Sequence, residues 1–314
     1  MKRVVKIGTR KSSLALTQAA TVAAEIERVK PGWKCELVKI VTTGDLKQSS
    51  PESTPRDKRD WVAEIEERLL TGDVDLAVHS GKDVPVDIHS ATEVLSVLRR
   101  APACDVYYLK NRPGSEHPAS GNFFELLPNG ATIGTASLRR TAQLLCKRPD
   151  LNVVPLRGNV PTRLDKLAES DTIDAIVLAA AGVSRLSGIR DPDGEFSLED
   201  LLPAVAQGTL CVQYCSQKRE IAELVHLLSH AETEVTWVAE REVIRTVGAG
   251  CRSAIGCFAE LSGEVLFIRS RVYSLDGSRM IEAVASGPAS DAVALGKNVG
   301  HALIDRGALP LLSV

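Results

Sequence analysis

Residues 75–85 read DLAVHSGKDVP: an apolar run ends in His79-Ser80, and a glycine-containing turn presents Lys82 and Asp83 before Val84-Pro85. A carboxylate beside an ammonium stays ionised. A fixed anion of that kind can stabilise a developing cation or carry a proton. Alone, a Lys-Asp pair after a strand more often reads as an ordinary charged turn, and His79 as a structural residue. Arginines supply a second group. Arg10 and Lys11 precede the first helical pattern, Arg139 and Arg140 fall in the first turn of another, and Arg157 ends a strand. Arg163 follows in the next helix, and Arg185 follows an apolar strand. In open α/β sheets ligands collect outside the carboxyl ends of strands, which is where these arginines fall. Cations in a first helical turn oppose the helix dipole, a cost that a bound anion offsets. Guanidinium groups suit planar carboxylates, so the pattern points to a polycarboxylate or phosphate ligand. Third, Cys251 sits in Gly248-Ala249-Gly250-Cys251-Arg252. Glycines there leave the thiol accessible, and Arg252 favours its thiolate. A buried, inert thiol is the ordinary alternative.

The elements that must position these residues follow from periodicity. Strand patterns at 4–8, 35–42 and 74–79 alternate with helical patterns after Ser12 or Ser13 and at 61–70. A second series has strands at 131–135, 152–156 and 174–179 with helices at 137–147 and 160–168. Such alternation predicts parallel sheets flanked by helices. Residues 47–60, polar with two prolines, read as a mobile loop. The last third differs: a helix at 233–247, strands at 254–261, 265–273 and 280–286, and a closing helix with Ala292, Leu295, Val299 and Leu303 on one face and Gly307 past its end. The expected fold is therefore α/β: two α/β domains followed by a smaller C-terminal α+β domain.

Composition narrows the function classes. The 314 residues suit two or three domains. Aromatics are 4% and the formal net charge is −2, which argues against base stacking and against a general attraction to nucleic acid. No apolar stretch approaches the roughly 20 residues of a membrane span, and no secretory or transit segment precedes the first strand pattern. The seven cysteines are scattered without a CxxC pair, so no metal site is expected and a reducing, cytoplasmic location fits.

Together these pieces resemble the porphobilinogen deaminase (hydroxymethylbilane synthase) family over nearly the full length. The matching segments are IGTRKSSLALTQ (7–18), TTGD (42–45), EIEERLL (64–70), DLAVHSGKDVP (75–85), IGTASLRRTAQL (133–144), LRGNVPTRLDKL (156–167), DAIVLAAAG (174–182), PAVAQGTL (203–210), AERE (239–242) and GAGC (248–251). The resemblance implies two periplasmic-binding-protein-like α/β domains and a third domain. Its boundaries are 1–101 plus 205–218, 102–204 and 219–314. It implies a monomeric transferase that joins four porphobilinogen molecules, with loss of ammonia, into hydroxymethylbilane. A dipyrromethane cofactor would be held by a thioether to Cys251. Asp83, with Lys82, would be catalytic. Lys82, Asp83, Thr135, Ser137, Arg139, Arg140 and Arg163 would hold the cofactor, and Arg10, Ser12, Arg157 and Arg185 the substrate. The alternative on this scaffold is a non-catalytic paralogue that binds a pyrrole, a tetrapyrrole or another anion.

The chain departs from the family at several positions. Ala63 stands where a lysine is usual, and residues 56–60 (RDKRD) replace a glycine-bearing stretch. Gly81 replaces a larger apolar residue, Pro161 and Ala206 each replace a glycine, and Arg252-Ser253-Ala254 follows the cysteine.

Overall fold

The computed structural model describes residues 3–48, 58–110, 122–250 and 253–312. Its elements run β1 (Arg3–Arg10), α1 (Ser13–Val29), β2 (Trp33–Ile40), α2 (Thr43–Gln48), α3 (Ala63–Thr71), β3 (Leu76–Ser80) and β4 (Thr92–Val97). There follow β5 (Asp105–Leu109), α4 (Phe123–Leu126), β6 (Thr132–Gly134), α5 (Leu138–Lys147), β7 (Asn152–Val154) and α6 (Val160–Glu169). Next are β8 (Ala175–Ala179), α7 (Ala180–Ser184), β9 (Gly194–Glu195), β10 (Leu210–Cys215), α8 (Arg219–Leu227) and α9 (Ala231–Val247). The chain closes with β11 (Ile255–Ser262), β12 (Val265–Tyr273), β13 (Met280–Pro288), α10 (Ala292–Asp305) and α11 (Leu309–Leu312). Two compact units result: Met1–Ala101 with Gly208–Trp237, and Pro102–Gln207 with Val238–Val314.

In the first unit the sheet order is β2-β1-β3-β10-β4. β1 runs parallel to β2 and β3, whereas β10 is antiparallel to both β3 and β4. The purely parallel sheet expected from the alternation is therefore a mixed one. Helix–strand alternation reports neighbouring βα units but not a strand that arrives from residue 210, far along the chain. Ser12 caps α1 by accepting a hydrogen bond from the Ala15 amide at 3.3 Å, the kind of cap worth about 1 kcal/mol. Ala19, Val22 and Ile26 of α1 and Ile221, Leu224 and Val225 of α8 then bury against Val5, Ile7, Leu76 and Val212. Ile65 and Leu69 of α3 bury with Ile40, Val74 and Ala77. A β3 strand packed on both faces needs a continuous apolar run, which its sequence supplies.

The second unit repeats this order, as β7-β6-β8-β5-β9, again with one antiparallel insertion, β5, beside β8. These two five-stranded mixed sheets with their helices are the two α/β parts expected from the alternation. Tyr107, Phe123 and Phe196 pack edge-on or tilted at 4.7–5.4 Å in one core of this unit, and Tyr108, Leu156, Ile176 and Leu178 share the other. The same unit carries the smaller α+β part, an antiparallel β11-β12-β13 sheet covered by α10. Ala292, Leu295, Val299 and Leu303 are buried as expected. Gly296 and Gly300 let α10 approach α9 closely: a Cβ on either would fall 2.5 Å from Ala239 or Thr246.

The expected loop at 47–60 is partly structured. Lys47 and Gln48 end α2, Lys58–Trp61 form a 3₁₀ turn, and residues 49–57 lie outside the described residues.

Candidate functional site

β1 and β3 are parallel, with Gly8 opposite Ala77. The residues that follow them, Arg10 to Ser12 and Gly81–Asp83, therefore share the carboxyl edge of the first sheet. Gly81–Asp83 is a 3₁₀ turn pinned by Gly81 N–H to Thr209 O at 2.8 Å and Val84 N–H to Gly81 O at 3.2 Å. Lys82 and Asp83 are half-buried. The Asp83 carboxylate has no hydrogen-bond or ion-pair partner among the described residues, so its acceptor capacity is available to a ligand.

Arg10 is held on two sides. Its Nη2 and Nε reach Asp45 Oδ1 at 2.6 and 3.2 Å, and its guanidinium lies 3.9 Å from the Trp61 ring centroid. Asp45 is itself fixed by a capping box. Its amide donates to Thr42 Oγ1 at 3.2 Å, and its Oδ2 accepts from the Thr42 amide and hydroxyl at 3.3 and 3.0 Å. Burial acts to raise the Asp45 carboxyl, but Arg10 and Thr42 outweigh it and hold it below the usual carboxylate range. The Trp61 ring rests on Gly44, where a Cβ would lie 2.3 Å from ring carbons. The TTGD segment thus aims an arginine. Ser12 spends its hydroxyl oxygen on the α1 cap.

In the second unit β6 is parallel to β7 and β8, so Thr135 to Ser137, Arg157 and Arg185 gather at that sheet's carboxyl edge. Thr135 is buried, and its hydroxyl accepts from the Ser137 amide at 3.2 Å. Ser137 caps α5 by accepting from the Arg140 amide at 3.4 Å. Arg139 and Arg140, expected to face a ligand, are instead 5% exposed and joined through Asp105. Arg139 Nη2 meets Asp105 Oδ2 and Arg140 Nη2 meets Oδ1, both at 2.7 Å. Their Nη1 groups donate to Leu202 O and Val177 O at 2.7 and 2.8 Å. Gln207 Nε2 adds a third donor to Asp105 at 2.9 Å. Burial pushes the Asp105 carboxyl up, but two guanidinium groups overcome it and hold it far below the ordinary range.

One carboxylate against two arginines leaves positive charge over, and both Nε atoms are buried without a hydrogen-bond partner. Arg163 adds to the excess. Its Nε donates to Gly158 O at 2.8 Å, and it has no ion pair among the described residues. Burial, then Arg140, push its guanidinium down to about 10. Burial pushes Arg185 down to about 10 as well. Desolvated cations of this kind are stabilised by an arriving anion, which is the fit expected of a carboxylate-rich group. Arg157 is half-buried beside them in sequence.

Cys251 and Arg252 lie outside the described residues. Among the described cysteines, Cys211 and Cys257 are buried, and burial pushes the thiols of Cys35 and Cys104 up to about 11. The sequence reading missed Asp105, Gln207 and Asp45. Asp105 had one signal, a carboxylate opening the apolar run DVYYL; Asp45 and Gln207 lie inside the TTGD and PAVAQG segments. No described helix is long and apolar enough to cross a membrane.

Comparison with known proteins bears on this arrangement. Residues 5–223 match the family described as "Porphobilinogen deaminase, dipyromethane cofactor binding domain", and residues 235–305 match "Porphobilinogen deaminase, C-terminal domain". A porphobilinogen deaminase of Syntrophus aciditrophicus is 39% identical over 310 residues, covering 98% of this chain and 97% of the relative. One of Geobacter sulfurreducens is 38% identical over 310 residues, covering 98% and 94%. Among solved structures, the methionine-binding protein MetQ is similar at a TM-score of 0.42 and 14% identity, over 73% of this chain and 91% of that one. With two family matches that follow one another along the chain and relatives matched almost end to end, this chain belongs to the porphobilinogen deaminase family.

Proposed function

We propose that Asp83 is the catalytic carboxylate of this chain and that its arginines hold the carboxylates of substrate and cofactor. The chain is a transferase of tetrapyrrole biosynthesis, a hydroxymethylbilane synthase. It joins four porphobilinogen molecules head to tail, releasing one ammonia for each unit added, and one water supplies the hydroxyl of the product's hydroxymethyl end. In each addition the aminomethyl C–N bond breaks and a C–C bond forms to a pyrrole α-carbon. The departing amine takes a proton, and the α-carbon loses one. Positive charge spreads over the substrate pyrrole as ammonia leaves. A carboxylate beside the pyrrole N–H stabilises that charge where it develops, and can accept the proton released when the C–C bond is complete. The observation that carries this reading is the Asp83 carboxylate, half-buried and without a partner among the described residues, at the sheet edge that also carries Arg10.

The dipyrromethane cofactor supplies the first nucleophilic pyrrole. Lys82, Thr135, Ser137, Arg139, Arg140 and Arg163 would hold its acetate and propionate groups, in keeping with two buried guanidinium groups that share one carboxylate and with the desolvated Arg163. Ser12, Arg10, Arg157 and Arg185 would serve the incoming substrate. Cys251 would carry the cofactor through a thioether, on a third domain at 219–314. The remaining divisions would be 1–101 plus 205–218 and 102–204. We place the protein in the cytoplasm as a monomer.

Intact-mass spectrometry tests the tether. A mass excess of two linked pyrroles, abolished by Cys251→Ser, is expected in protein from a host that makes porphobilinogen; an unmodified chain refutes it. Asp83→Ala tests the carboxylate. Turnover should fall by about 10²-fold or more with the unfolding midpoint retained, and wild-type ammonia release would remove Asp83 from the mechanism.

A further inference from the structure

Behind the Asp83 turn lies a buried polar chain that the mechanism does not use. His79, on β3, is 7% exposed, and its Nε2 is 3.0 Å from Gln213 Oε1 on β10. The Gln213 amide is oriented by its other end. Nε2 lies 2.8 Å from Glu66 Oε1 on α3 and 2.9 Å from Thr92 Oγ1 on β4. Only an N–H can donate to that carboxylate, so the amide oxygen must face His79. An amide oxygen only accepts, so the imidazole must carry its proton on Nε2. Glu66 is anchored in turn: its Oε2 is 2.8 Å from Arg59 Nη1, and its Oε1 accepts from the His89 amide at 3.0 Å. Glu66 and Gln213 are 3% and 1% exposed. The links among His79, Gln213, Glu66 and Thr92 therefore form in a medium where a mispaired polar group costs about 1–3 kcal/mol.

We propose that His79 is a positioning residue: the chain Arg59–Glu66–Gln213 fixes a proton on its Nε2, and burial of the ring keeps it without positive charge, beneath the turn that bears Asp83. Glu66 and Asp83 favour the imidazolium, and Arg10 opposes it. Lys82 shares the turn with Asp83, Arg59 pairs with Glu66, and Cys211 lies opposite His79 on β10. Burial outweighs the attractive contributions and pushes His79 down to about 4. An imidazolium here would offset the negative charge that Asp83 presents to a cationic reaction centre; a neutral ring leaves it undiminished. This inference rests on the catalytic reading of Asp83.

The test uses the full-length, cofactor-bearing protein. Long-range ¹⁵N–¹H spectra, with His79 assigned by its loss in His79→Gln, should show a neutral Nε2–H ring across about pH 5–8. An Nδ1–H ring, or titration within that range, overturns the proposal. The same spectrum of Asp83→Asn separates the two ideas, since the tautomer is read whether or not that variant turns over. Gln213→Glu, made together with Glu66→Gln so that no second carboxylate faces it, places a carboxylate on Nε2. His79 should then titrate inside the range, and turnover should fall on the order of tenfold on the acid side and recover as the ring deprotonates. A charged His79 with a wild-type pH profile overturns the proposal. If this double variant does not fold, His79→Gln decides. A less than about tenfold loss with a wild-type-shaped pH profile is expected. A loss of about 10²-fold or more would mean that the ring itself transfers protons and would overturn the positioning role.

Discussion

Arg139 Nη2 donates to Asp105 Oδ2 at 2.7 Å, with both side chains sealed from solvent. Arg140 takes the other carboxylate oxygen. The paired arginines are thus a framework, tying the start of α5 to the start of β5.

Removing the shared carboxylate should be costly. Asp105→Ala leaves two buried cations without their anion, and a loss of about 3–5 kcal/mol is expected in urea unfolding at pH 7. The pH dependence has a definite sign. Asp105 titrates lower in the folded protein than in the unfolded chain, so its contribution is fully present above the ordinary aspartate value of about 3.9. It is lost progressively as pH falls below that value. The stability gap between the wild type and Asp105→Asn should narrow in acid and stay constant from about pH 5 to 8.

Arg163 separates binding from stability. It is desolvated without an ion pair among the described residues, so Arg163→Met should leave the unfolding free energy within about 1 kcal/mol or raise it. Loss of its charge-assisted contacts should lower kcat/KM by about tenfold or more. Steady-state kinetics beside denaturation curves check both halves.

Ala206 has a backbone φ of +59°, in the left-handed region, where an L side chain costs about 1–2 kcal/mol relative to glycine. Its amide is meanwhile held at 2.6 Å by the buried Glu240 carboxylate, so the conformation cannot relax. Ala206→Gly should stabilise the protein by about 0.5–1 kcal/mol, less than the full strain because the unfolded chain gains freedom. Ala206→Val should destabilise it. Thermal and urea midpoints report the order.

Trp61 should act through Arg10. Trp61→Ala removes a cation–π contact worth about 0.5–2 kcal/mol and frees the guanidinium to pivot about Asp45. KM should rise several-fold, and Trp61→Phe should restore most of it. An unchanged KM in the alanine variant would show that Asp45 alone aims Arg10.

The sequence by itself determined the local features. Ser12 and Ser137 cap where they stand before helical periods, and the apolar runs at 76–80 and 175–179 are buried strands. Arginines at strand ends reach the carboxyl edges of two sheets because parallel βα units place every such end on one side. These are consequences of short-range periodicity and capping, which a linear reading can see. Tertiary structure decided the rest. β10 enters the first sheet antiparallel from residue 210, a pairing no local pattern encodes. Asp105 meets Arg139 and Arg140 across 34 and 35 residues and turns exposed-looking arginines into a buried framework. Glu66, Gln213 and His79 become one chain only when α3, β10 and β3 pack together. Charge pairing inside a core depends on which carboxylate the fold delivers to which cation, and the low dielectric there makes that delivery decisive.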